Sequence, residues 1–89
     1  MPAPAARRIA VRYFASIREA IGAEGEALST AAATAGALRD ELIARGGAHA
    51  AALDRARPVR IAVDRAMAPE SQPLAEGAEV AFFPPVTGG

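Results

Sequence analysis

Glu79-Val80-Ala81-Phe82-Phe83-Pro84-Pro85-Val86-Thr87-Gly88-Gly89 is the stretch around which the rest of the chain arranges itself. Glu79 to Phe83 has the composition of a strand, and strand alternation sends Phe82 and Phe83 to opposite faces, one buried and one outward. The two prolines remove two backbone donors, so a sheet ladder stops there and the chain continues in a polyproline-like form. Pro84 to Gly89 then spans on the order of 20 Å at roughly 3.1–3.6 Å per residue. Gly88 and Gly89 carry no side chain, so the tip can thread a channel too narrow for any Cβ. A strand that feeds a stiff arm with a bare tip predicts a folded body whose working part is its tail.

Working back from this strand, Glu76-Gly77 reads as a turn, Leu74 as an isolated apolar plug and Pro69 to Pro73 as polar loop. Val59, Ile61 and Val63 alternate after Pro58, and Asp64-Arg65 suits a tight turn into Ala66-Met67-Ala68, which together predict a hairpin. At the other end, Arg8 to Phe14 places Ile9, Val11 and Tyr13 on one side and Arg8 and Arg12 on the other, the pattern of a first strand. Met1 to Arg7 is expected to be a flexible extension. Ser16 suits an N-cap with Glu19 at the capping-box position, and Gly22 suits the stop of a short helix. Glu24 to Ser29 reads as a weak second strand. Thr34 can cap a helix over Ala35 to Arg45, with Ala35, Leu38 and Leu42 on one face and Gly46-Gly47 behind it. Ala48 to Ala56 is a short extra helix or a loop, and His49 within it is expected to be a solvated bystander. The order strand, helix, strand, helix, then three strands predicts an α+β fold with the main helix across one sheet face.

Composition narrows the chemistry. Eighty-nine residues make one domain, and 25 of the 46 apolar residues are Ala, so the core rests on few large side chains. Ten Arg balance ten Asp and Glu, which gives no footprint for nucleic acid or anionic lipid. The absence of Cys excludes disulfides, thiolate metal sites and a cysteine nucleophile, and one His without a cluster leaves no metal centre. There is no Lys and no glycine-rich phosphate loop ending in Lys, so the chain has neither an ATP site nor a nucleophile–base pair of its own. No signal peptide or apolar span is visible, and a soluble, cytoplasmic protein is expected.

The run Glu79 to Gly89 resembles the end of the small subunit of molybdopterin synthase. Tyr13 to Glu19 is similar to that family's first strand-to-helix motif, Thr34 to Leu42 to the start of its main helix, and Pro73-Leu74 with Glu76-Gly77 to its approach to the last strand. The resemblance runs from Arg8 to Gly89; Ala44 to Pro58 agrees only in length and character. It implies a ubiquitin-like β-grasp fold over residues 8–83, a mixed sheet of about five strands with one main helix across one face, and an extended tail over residues 84–89.

The resemblance also implies a function. Gly89 would be adenylated by an activating enzyme that uses ATP, then converted to a thiocarboxylate whose sulfur goes to cyclic pyranopterin monophosphate to form the molybdopterin dithiolene. Gly88 would serve the threading of the tail. Phe14, Met67 and Phe83 match positions that present an apolar patch to the large subunit and the activating enzyme, Arg18 one that contacts the activating enzyme, and Pro84, Pro85, Val86 and Thr87 the inserted tail. The chain would bind no cofactor or metal and would form a heterotetramer with the large subunit. It would be a sulfur-donating co-substrate, with the catalytic groups on the large subunit. Alternatives are another sulfur carrier of thiamin type, against which Phe82 to Thr87 argues, a ubiquitin-like protein modifier, and an interaction domain with an inert tail.

Overall fold

The computed structural model describes residues 6–85. Its strands are β1 (Arg7–Tyr13), β2 (Gly25–Thr30), β3 (Arg60–Val63), β4 (Ala66–Met67) and β5 (Glu79–Phe83), and its helices are α1 (Ala15–Ile21), α2 (Ala35–Ile43) and α3 (Gly47–Leu53). The strands form one sheet in the order β2-β1-β5-β3-β4. β1 and β5 run parallel at its centre, with Val11 opposite Val80 and Tyr13 opposite Phe82, and the remaining pairs are antiparallel. The mixed sheet and the main helix across one face are as expected from the sequence.

Alternation decides which residues meet. Ile9, Val11 and Tyr13 of β1, Ile61 and Val63 of β3, and Val80 and Phe82 of β5 all point to one face, where Ile17, Leu38, Leu42 and Leu53 of the helices close the core. Leu74 is buried as the expected plug, its N–H donating to the Ala33 carbonyl at 2.9 Å. Among the described residues, no helix covers the opposite face of the sheet.

Local signals act largely as read. Thr34 Oγ1 accepts from the Ala37 N–H at 3.1 Å and starts α2, and Gly22 ends α1 in the left-handed conformation at φ 82°. Asp64 and Arg65 turn the β3–β4 hairpin with φ of 50° and 70°, both in the left-handed region that a two-residue hairpin loop requires.

Four expectations need correction. Ser16 is not an N-cap: α1 begins at Ala15, and Phe14 occupies the cap position with no side-chain bond. The reason is that the Phe14 N–H is already tied to the Phe82 carbonyl at 3.1 Å, so the chain turns at the sheet end and Phe14's own carbonyl receives the Ile17 and Arg18 N–H groups. β1 begins at Arg7, which pairs with Thr30, so the expected extension loses its last residue to the sheet. α2 stops at Ile43 instead of Arg45; of the short helix or loop expected over Ala48 to Ala56 it is the helix that forms, over Gly47–Leu53, with Ala52 and Leu53 buried in the core. His49 is half-buried, as described below.

Candidate docking face and tail root

The uncovered sheet face assembles three of the side chains singled out by sequence. Register places Ala81 between Arg12 and Ala62, Ala62 beside Met67, and Phe83 beside Arg60. The small Ala62 and Ala81 form a floor between larger neighbours. Phe14 and Phe83 stand over that floor and, with Arg65 and Glu79, line an open cleft of about 400 Å³. Phe14 is 41% exposed and Met67 55%, the two large apolar side chains most open to water among the described residues. Phe83 is half-buried while its neighbour Phe82 is fully buried, so the expected division of the two rings holds. Contiguous apolar surface of this kind, rimmed by charge, is suited to docking a protein.

Arg18 is not part of this cleft. It lies in α1, where its N–H donates to the Phe14 carbonyl, and its guanidinium sits 3.5 Å from Glu24 with both side chains solvated. Pro84 and Pro85 lead away from β5 but do not leave the body at once. Both are half-buried and share a cavity of about 350 Å³ with Ser16, Ala20, Arg57 and Val59, between α1, α3 and the entry to β3. The root of the tail thus runs along the helical side, at the end of β5 next to Phe83. Val86, Thr87, Gly88 and Gly89 lie outside the described residues.

Two polar networks that sequence reading did not identify fix the elements around this end of the sheet. In the first, the Tyr13 hydroxyl donates to Glu26 at 2.9 Å, Arg45 donates to both Glu26 oxygens at 2.8 and 2.9 Å, and His49 Nε2 lies 3.4 Å from the same carboxylate. The His49 ring also meets the Tyr13 ring edge-on at 5.9 Å. Burial alone would raise Glu26, but the hydrogen bonds from Arg45 and Tyr13 outweigh it and hold the carboxyl below its ordinary range. Burial, with the bond to Glu26, pushes the Tyr13 hydroxyl well above the usual phenol value. In the second network, Arg39, only 4% exposed, donates to the carbonyls of Leu53, Asp54 and Arg57 and to Glu70. Glu70 is shared with Arg55, which also pairs with Asp40. Hydrogen bonds from Arg55 and Arg39 hold Glu70 below the usual carboxylate range. These residues clamp the chain between α3 and β3 to the loop after β4. A buried arginine inside an amphipathic helix, at a position where a hydrophobe would pack, is the signal by which sequence could have found the second network.

No group of three or more His, Cys, Asp or Glu side chains able to hold a metal occurs among the described residues. No helix among them is long and apolar enough to cross a membrane.

Comparison with known proteins gives these features a context. Residues 11–89 match the model of the ThiS family. The molybdopterin synthase sulfur carrier subunit of Haemophilus influenzae is 39% identical over 79 residues, covering 89% of this chain and 96% of that protein. The subunit of the same name from Escherichia coli is 38% identical over 81 residues, covering 91% and 99%. Among solved structures, SAMP1 from Haloferax volcanii superposes with a TM-score of 0.72 at 26% identity, covering 92% of this chain and 99% of its own. The architecture is the ubiquitin-like β-grasp, as the resemblance implied. With nearly the whole chain matched by the family and by full-length relatives, the protein belongs to the ThiS family.

Proposed function

We propose that this chain is the sulfur carrier subunit of a molybdopterin synthase. The observation that carries the reading is the 39% identity to a subunit of that name over almost the full length of both chains. The unbroken run from strand β5 through Pro84-Pro85 to Gly88-Gly89 supports it.

In this reading Gly89 carries the chemistry and the rest of the chain delivers it. A carboxylate at neutral pH is a poor acyl donor, so the Gly89 carboxylate first attacks the α-phosphorus of ATP held by an activating enzyme, and pyrophosphate leaves. A sulfide-level nucleophile, HS⁻, then attacks the acyl carbon, AMP leaves with the electron pair of the C–O bond, and the terminus is left as a thiocarboxylate. Transfer of that sulfur to cyclic pyranopterin monophosphate, with an oxygen from water restoring the Gly89 carboxylate, returns the carrier to its starting state. The body contributes position: Phe14, Met67 and Phe83 dock on the large subunit, and Pro84 and Pro85 hold the tail at a fixed exit beside that docking face. Having no Cys, the chain has no side-chain thiol to carry the sulfur instead. SAMP1 is named small archaeal modifier protein 1, and the likeness to it is the observation on the side of a protein-modifying role; at 26% identity it is weaker than the match to the sulfur carriers.

The intact mass of the protein isolated with its activating system tests the reading. A gain equal to the difference between sulfur and oxygen, confined to the C-terminal peptide, is expected. An unchanged terminus, or an isopeptide bond from Gly89 to lysines of other proteins, would replace the reading with an inert or a modifying role.

A further inference from the structure

The protein as a whole is neutral, but its charges are not spread evenly. Arg39, Arg45 and Arg55 are matched by Glu70, Glu26 and Asp40 on the helical side. On the uncovered sheet face, Arg12, Arg60 and Arg65 have no ion-pair partner among the described residues. Arg12 lies across from Ala81 with its guanidinium 5.7 Å from the Phe14 ring centre. Arg60 stands beside Phe83 in register, and Arg65 lines the cleft from the β3–β4 turn. Glu79 is the acid within the cleft; Asp64, at its edge, is occupied in accepting the Glu79 N–H at 3.0 Å. Three guanidiniums without an ion-pair partner therefore border an apolar floor, with the carboxylates of Glu79 and Asp64 at one end of it and Glu24, paired with Arg18, beside Arg12.

We propose that Arg12, Arg60 and Arg65 form a cationic collar that receives carboxylates fringing an apolar site on the large subunit, so that the docking face selects an acidic-rimmed partner. The proposal rests on the sulfur-carrier reading and adds to it the partner's chemistry. Solvated guanidiniums at the rim of an apolar contact act mainly on the rate and selectivity of encounter, while the aromatic rings at its centre set the lifetime of the complex. Arginine suits this role because its planar fork meets a carboxylate with two parallel bonds and can remain stacked on a ring, as Arg12 is placed to do on Phe14. The collar surrounds the face next to the tail root, so capture of the partner's rim would also bring the tail to its channel.

The test is binding of the full chain to the large subunit over a range of salt concentrations, with the triple variant Arg12→Gln, Arg60→Gln, Arg65→Gln and the matching triple Lys variant. The Gln variant should associate about tenfold more slowly at low salt, with a flattened salt dependence. Its melting temperature should be unchanged. The Lys variant should recover most of the salt dependence. Equal association rates and equal salt slopes for wild type and the Gln variant would overturn the collar while leaving the sulfur-carrier reading intact. Failure of the wild type both to bind the large subunit and to support dithiolene formation would overturn that reading and the collar with it.

Discussion

Phe82 and Phe83, consecutive on β5, serve opposite faces of one sheet: the Phe82 ring is fully buried and stacked on Tyr13 with centroids 6.4 Å apart, while Phe83 lines the open cleft with Phe14. The strand thereby joins the core to the docking face within two residues, immediately before the tail.

Truncating the two rings should therefore have different costs. Phe82→Ala is expected to destabilise the fold by about 3–5 kcal/mol through the cavity it leaves. Phe83→Ala should cost about 1 kcal/mol or less in stability and weaken large-subunit binding by about 1–3 kcal/mol. Denaturant melts beside a binding titration measure both. A collapsed melt for Phe83→Ala with unchanged affinity would return that ring to the core.

Arg39 makes the sharpest stability prediction. Its guanidinium satisfies three backbone carbonyls and Glu70 from a nearly inaccessible position. Arg39→Ala leaves these acceptors without their donor and is expected to cost on the order of 2–4 kcal/mol. Arg57→Ala, which removes an exposed side chain with no ion pair among the described residues, should be within about 0.5 kcal/mol of wild type. Urea unfolding of the two variants makes the comparison.

Much of this architecture is legible in the sequence because it depends on nearest neighbours along the chain. The alternation of Ile9, Val11 and Tyr13, the Thr34 cap, the Asp64-Arg65 turn and the opposed Phe82 and Phe83 are all local, and each appears where the pattern puts it. What is not legible depends on contacts distant in sequence. The cap of α1 is displaced from Ser16 because Phe14 is held by Phe82, 68 positions away. α3 forms from an Ala-rich segment because the core accepts Leu53. His49 looks inert until β2 brings Glu26, and β1 brings Tyr13, to its side. For the docking face, sequence provides Phe14, Met67 and Phe83 through a family likeness, but only the sheet register shows that Ala62 and Ala81 lie between them and that three arginines border them.

The two depressed carboxyls predict an acid-sensitive fold. Glu26 and Glu70 both have folded-state values below the ordinary range, so their contribution is complete above the unfolded carboxylate value of roughly 4.3 and is lost as pH falls through the lower folded values. Melting temperature should decline as pH drops below that point. The double variant Glu26→Gln, Glu70→Gln should start lower at neutral pH and show a shallower decline. An acid limb as steep as the wild type's would assign the sensitivity to other groups.

Gly36 predicts a tight packing constraint. Its N–H donates to the Glu70 carbonyl at 2.8 Å, and a Cβ there would come within 2.9 Å of the Glu70 Cβ and 3.1 Å of that carbonyl oxygen. Gly36→Ala should push the loop after β4 off α2 and cost about 1–3 kcal/mol despite the better helix propensity of Ala. Thermal melts check it.

Reconstitution of dithiolene synthesis tests the central claim most directly. The chain bearing a chemically installed Gly89 thiocarboxylate is mixed with the large subunit and cyclic pyranopterin monophosphate, beside a Gly89-deleted chain and beside the thiocarboxylated chain without the large subunit. Product should form only in the first mixture, while the deleted chain keeps the melting temperature of the wild type because β5 ends at Phe83 and the core cluster at Phe82. Normal product yield from the Gly89-deleted chain, or dithiolene formed by the small protein alone, would contradict the account.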